Sequence, residues 1–311
     1  MRAADLYASV TQRIITELKE GVAPWARPWK DGTRGLTTLP ANAVSGRMYS
    51  GINVLILYME AMDKGYTSHG WCTFQQANSI GATVRKGEKS TQVVFVKRTE
   101  KEEDGEVKKS TVMKPYAVFN LAQLDKLPPQ YLEAAPPVDE EVAHDQALVL
   151  QKNAGVRIVH GGNKAAYYPQ RDEIVLPPFG NFVDEAAYWG VSNHELIHAT
   201  GHQSRVGRKL NSKFGKNGYA HEELIAELGS AFLCARLGIP ATFRSAAYVA
   251  NWLEVLGNDN TAVFNAASHA SQAANWLWET AFYAETDDTP DVERQSPRQQ
   301  SEKEMGDAIP F

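Results

Sequence analysis

The sequence predicts an α+β protein in two parts: a small α+β N-terminal domain with a β-hairpin, then a mostly helical domain with a short antiparallel sheet. Three observations predict it. Helical and strand-type apolar periods both occur before residue 127, a Pro-rich stretch without period follows, and helical periods dominate beyond it. A chain of 311 residues is long enough for two cores, and 43% hydrophobic with 22% charged residues is a soluble globular composition.

Each element has its own warrant. Leu6, Val10, Ile14 and Leu18 recur every four residues, so Ala4 to Lys19 reads as an amphipathic helix that Gly21 and Pro24 end. Trp25 to Gly46 has little period. A second helix spans Ile52 to Met62, and a third Thr73 to Ser79, where Thr73 and Gln76 form a capping box. Alternation in Gln92 to Val96 and Val112 to Phe119 marks two strands, with the charged stretch Lys101 to Lys109 as their loop. Pro128, Pro129, Pro136 and Pro137 define a linker over 128–138, between domains at 1–127 and 139–284. The second domain opens with a helix (Asp139 to Asn153). Short strands follow at Val156–Val159, Ala166–Tyr168 and Glu173–Leu176, then mainly helices to Tyr283. Residues 285–311 hold 8 acidic and 3 basic side chains and too few apolar ones to pack, the composition of a disordered tail.

Composition excludes some functions. No apolar run is long enough to cross a membrane, the N-terminus lacks the apolar region of a secretory signal, and Cys72 and Cys234 give no disulfide framework, so the expected place is the cytoplasm. The net charge of −5 excludes a uniformly basic DNA binder, but it is unevenly spread. Residues 1–127 carry 18 Lys+Arg against 13 Asp+Glu, and the remainder 14 against 24. One half is thereby suited to a polyanion.

The sharpest motif is His194-Glu195-Leu196-Ile197-His198. On a helix the two histidines lie one turn apart on one face and can grip one cation. Glu195, about 100° round the helix, can serve as general base on water rather than as ligand. Asp184 can cap such a helix, and Gly201 can end it. A catalytic zinc needs a third protein ligand, and Tyr219 to Glu227 supplies candidates on a second helix. Glu223 and Glu227 share a face, so one can bind metal while the other orients a ligating histidine. His202 follows His198 too closely for the metzincin spacing, and His221 and Glu222 remain further candidates, although each faces away from Glu227. The pattern resembles the gluzincin type of zincin peptidase, which implies Glu223 as the ligand and Glu227 as its second-row partner. Zn2+ is the expected metal, although Mn2+ or Co2+ could occupy the same ligands. The strand Glu173–Leu176 stands where zincins place an edge strand that can pair with an extended peptide.

Further stretches carry a whole-chain resemblance: Tyr7 to Ile15, Gly21 to Trp29, Ser45 to Asn53, Trp71 to Ala77, Val84 to Lys89 and Phe119 to Gln123. With the His194 and Tyr219 segments, the chain from 4 to 283 resembles plasmid-borne ArdC antirestriction proteins and the N-terminal part of TraC-type conjugative primases. The resemblance implies an N-terminal single-stranded DNA-binding domain joined to a C-terminal zincin-like domain, and protection of incoming conjugative DNA from host restriction. The residues agree. Single-stranded DNA needs a cationic groove and aromatic faces, and Trp25, Trp29, Tyr49 and Trp71 lie near Arg27, Lys30, Arg34 and Arg47. Lys86 and Lys89 flank Gly87, a turn whose amides could meet a phosphate. At least two of the four aromatics should be core.

Two readings compete. In one, a DNA-tethered metallopeptidase cleaves a host protein; in the other, a non-catalytic protein binds and shields DNA and its metal site is structural or vestigial. The intact Glu195 favours the first, because a structural site has no use for a general base. The chain ends Gly306-Asp-Ala-Ile-Pro-Phe311, which looks like the tip of bacterial single-stranded DNA-binding protein. Ile309, Pro310 and Phe311 match that tip, and Asp307 is displaced by one position. The likeness implies docking on host proteins that read such tails.

Overall fold

In a computed structural model of the chain, the structure describes residues 3–26, 38–103, 106–132, 139–208, 218–241 and 248–283. The Arg27, Trp29, Lys30 and Arg34 group lies outside the described residues, as do the tail and its Ile309, Pro310 and Phe311.

Helix α1 (Ala3–Lys19) buries Leu6, Val10, Ile14 and Leu18, the stripe its period predicts. Helix α2 (Ile52–Lys64) stops at Gly65, whose φ of 66° lets its N–H reach back to the Ala61 and Met62 carbonyls. Helix α3 (Phe74–Ser79) carries the expected Thr73–Gln76 capping box. Strands β1 (Ala41–Asn42), β2 (Gly70–Cys72), β4 (Thr91–Glu103) and β5 (Glu106–Asn120) form a sheet ordered β1-β2-β5-β4, while β3 (Thr83–Val84) pairs with β6 (Leu124–Asp125). The hairpin corrects an expectation. The stretch from Lys101 to Lys109 is mainly strand, not loop, and pairing continues out to Glu103↔Glu106. Backbone ladders form whatever the side chains, so an antiparallel ribbon can run through a charged stretch that lacks the strand signal.

In the second half, Asp139 caps α4 (Glu140–Asn153) through Glu141 and Val142 N–H groups. Strands β7 (Arg157–His160), β8 (Ala166–Tyr168) and β9 (Glu173–Leu176) follow, then helices α5 (Glu185–Thr200), α6 (Gly218–Leu237), α7 (Val249–Asn258) and α8 (Ala262–Phe282). The three-stranded sheet, ordered β7-β9-β8, is mixed rather than wholly antiparallel: β9 runs parallel to β7 and antiparallel to β8. Glu173–Leu176 is therefore the central strand. Strands β7 and β8 (Ala166–Tyr168) are the edges of the sheet, because β9 enters it last and pairs with both.

The two halves share one apolar core. Tyr7 packs edge-on against Phe264 with ring centroids 4.4 Å apart, and Trp25 against Trp252 at 5.9 Å. Thr11 Oγ1 donates to the Asn260 carbonyl at 2.8 Å, and Gly51 N–H donates to Ser271 Oγ at 2.7 Å. On α8, Ala266, Ala267, Ala270, Ala273 and Ala274 are buried, and such short side chains let neighbouring helices approach closely. No helix among the described residues is long and apolar enough to cross a membrane.

Candidate metal centre

Helix α5 starts where expected: Asp184 Oδ1 accepts from Ala187 N–H at 2.7 Å, and Gly201 follows its last residue. Its regularity places His194 and His198 together, with Nε2 atoms 3.2 Å apart. Helix α6 crosses close by, because a Cβ on Gly229 would lie only 2.7 Å from Ile197 Cδ1. That approach brings Glu223 to both histidines. Its Oε2 lies 3.4 Å from His194 Nε2, and its Oε1 3.4 Å from His198 Nε2. Donor atoms of His194, His198 and Glu223 all fall within 4.8 Å of one another. Two imidazole nitrogens and one carboxylate oxygen converging on one point form a donor set that fits a divalent cation.

The remaining ring nitrogens are also met. His194 Nδ1 lies 3.7 Å from Glu227 Oε1, and His198 Nδ1 3.4 Å from Glu222 Oε1. Glu195, 8% exposed, accepts from the Tyr167 backbone N–H at 2.8 Å through Oε2. The edge strand β8 thus holds the candidate general base. These groups line one side of a cleft of about 930 Å³ that Tyr219 and Tyr248 also border.

Electrostatics match this crowding. Burial disfavours a charged His198, but Glu222, Glu223 and Glu195 overcome it and push its pKa up to about 10. Burial likewise raises Glu222, yet His198 and Arg208 outweigh it and hold the carboxyl down to about 2. Glu223 is depressed further, with His194 and His198 overcoming its own desolvation. Burial, and a hydrogen bond with Glu223, push the Tyr219 phenol up. The arrangement is an anionic cradle that retains a cation or, lacking one, a proton.

Sequence reasoning missed Arg208, the Tyr167 amide and the place of Glu222 beside His198. Glu222 faces away from Glu227, but His198 turns its second nitrogen towards it. Arg208 sits in the irregular segment after α5, where no period signals a role. The rival ligands lie elsewhere: His202 Nδ1 bonds Ser204 Oγ at 2.7 Å, and His221 is held by burial at a pKa of about 4.

The predicted DNA-contacting residues are dispersed. Trp25, Tyr49 and Trp71 are 2%, 3% and 1% exposed, so as stacking faces they are corrected to core side chains. Their apolar area wins burial before a ligand can use it. Arg47, Lys86 and Lys89 are exposed. Gly87 takes a φ of 92°, which makes the expected turn between the two lysines. Within that turn Glu88 accepts from Gln123 and Arg85, at 2.9 Å each, and these bonds hold its carboxyl below the usual range.

Comparison with known proteins covers both halves. A family model described as the N-terminal domain of anti-restriction factor ArdC matches residues 4–119, and one described as a zincin-like metallopeptidase matches residues 145–269. An uncharacterized protein of Sinorhizobium fredii is 37% identical over 284 residues, covering 88% of this chain and 91% of that protein. A DNA primase TraC of Escherichia coli is 37% identical over 292 residues, which is 86% of this chain but only 19% of the primase. The metal-free crystal structure of antirestriction ArdC protein from the R388 plasmid is 39% identical with a TM-score of 0.75, covering 91% of this chain and 100% of that one. Its Mn(II)-bound structure is 38% identical with a TM-score of 0.73, covering 90% and 99%.

Proposed function

The chain belongs to the family of ArdC-type antirestriction proteins, and from that premise we propose that it binds single-stranded DNA and carries a metal-dependent peptidase centre directed at a host protein. One observation carries the enzymatic part: His194, His198 and Glu223 converge with an intact Glu195 in an open cleft. These three ligands suit Zn2+, with Mn2+ or Co2+ as alternatives, and a relative is described in a Mn(II)-bound form. When bound, the cation would supply Lewis-acid polarisation of a peptide carbonyl and a more acidic water. Glu195, fixed by the Tyr167 amide, would take the proton from the attacking water and return it to the leaving amine. An extended substrate would lie along β8, whose outer edge faces the cleft.

The DNA-binding part rests on family membership and on the cationic excess of residues 1–127. Among the described residues, exposed Arg47, Lys86 and Lys89 would be its contacts. Incoming conjugative DNA and restriction enzymes meet in the cytoplasm, and the protein would act there. The deciding experiment is Glu195→Ala in the full chain, assayed for metal content, proteolysis and protection of transferred DNA in a restricting recipient. The variant should keep its metal and lose proteolysis and protection together. Undiminished protection would leave the non-catalytic shielding role as the biological one.

A further inference from the structure

The last carbonyls of α5 are met by two arginines from the segment that follows it. Arg205 Nε donates to the Ala199 carbonyl, and Arg208 Nη2 to the Ile197 carbonyl, each at 2.7 Å. Both side chains are only 4% exposed. Cations that close a helix C-terminus in this way satisfy orphan carbonyls and complement the helix dipole. Beyond this shared role the two diverge. Arg205 turns to Asp172, the Tyr167 hydroxyl and the Gly155 carbonyl. Arg208 turns to Glu222, with Nη2 2.6 Å from Oε1 and Nε 3.4 Å from Oε2. The same Oε1 lies 3.4 Å from His198 Nδ1.

We infer that Arg208 is a positioning residue of the metal centre, acting through Glu222 on His198; the inference rests on the metal-binding reading above. An ionised carboxylate can only accept, so Glu222 keeps one imidazole proton on Nδ1 and leaves Nε2 as the nitrogen a cation takes once it displaces the second proton. Four carboxylates crowd this cleft: Glu195, Glu222, Glu223 and Glu227. Glu222 adjoins the ligand Glu223 in sequence and, unrestrained, would repel it or compete for the cation. The Arg208 fork engages both Glu222 oxygens. That grip neutralises the charge and holds the carboxylate behind the histidine rather than in front of it.

The test is Zn2+ affinity of the full chain, measured at constant pH by competition with a chromophoric chelator. Arg208→Gln and Glu222→Gln should each weaken binding by about 10- to 100-fold. The double variant should lose no more than the worse single one, because the residues act as one chain. Arg205→Gln is the control. It loses an equally buried cap on the same helix but has no path to a ligand, so its affinity should stay near that of the unsubstituted chain. Should Arg208→Gln fail to fold, Glu222→Gln carries the test, since its amide oxygen still accepts from Arg208. Unchanged affinity in Glu222→Gln, or equal losses in Arg205→Gln and Arg208→Gln, would overturn the inference while leaving the metal centre intact. If the unsubstituted chain binds none of Zn2+, Mn2+ and Co2+, the metal reading fails, and this inference with it.

Discussion

The two halves dispose of their charged and aromatic groups in opposite ways. Around α5 and α6, four carboxylates and two histidines are drawn into a cleft where most are nearly buried, the histidines answered by Glu222, Glu223 and Glu227 and Glu195 by the Tyr167 amide. In the N-terminal half Trp25, Tyr49 and Trp71 fill the core, and Arg47, Lys86 and Lys89 stay in water. Buried ionisable groups persist only when paired, so the cleft is a coupled unit in which each group sets its neighbours' protonation. Exposed cations are individually weak and act by number. The difference separates a site that one substitution can abolish from a surface that one substitution can only weaken.

The sharpest break would come from the buried rings. Trp25→Ala and Trp71→Ala should each destabilise the protein by about 3–5 kcal/mol, read from urea unfolding, because they empty fully packed positions. Normal stability with lost DNA binding would show that these rings face ligand after all. Next is the metal. Unsubstituted protein should gain about 2.7 kcal/mol at a cation concentration 100-fold above Kd, and His194→Ala or His198→Ala should remove that gain. A cation-dependent rise in Tm that survives both substitutions would place the metal elsewhere.

A smaller effect concerns pH. A cation must displace the proton that the surrounding carboxylates hold on His198 up to about pH 10. Affinity should therefore rise with pH between 7 and 9, by about tenfold per unit from this group, equivalent to about 1.4 kcal/mol. A flat profile by buffered chelator competition would mean that His198 is already neutral in the metal-free protein. The smallest effects belong to the surface. Lys86→Ala and Lys89→Ala should shift stability by less than about 0.5 kcal/mol. Each should lower single-stranded DNA affinity and reduce the salt slope by about one, as read by fluorescence anisotropy. An unchanged slope would remove that lysine from the interface.

Local patterns determined a good deal. Four-residue spacing placed Leu6 to Leu18 on a buried helix stripe, Thr73 and Gln76 made their capping box, and Asp184 began α5. These features depend on neighbours within one helical turn, and so does the pairing of His194 with His198. Glu223 and Glu227 were legible as a pair for the same reason, once a second helix was assumed, and only the gluzincin resemblance chose Glu223 as the ligand. What only the tertiary structure decided is where separate elements meet. The crossing of α5 and α6 set Glu222 behind His198, and the β7-β9-β8 order put the Tyr167 amide on Glu195. Packing of α1 and α2 on α7 and α8 joined the two halves in one core. Burial of Trp25, Tyr49 and Trp71 belongs with these. Whether an aromatic ring serves a core or a ligand depends on the apolar surface that distant segments bring to it, and no local period records that.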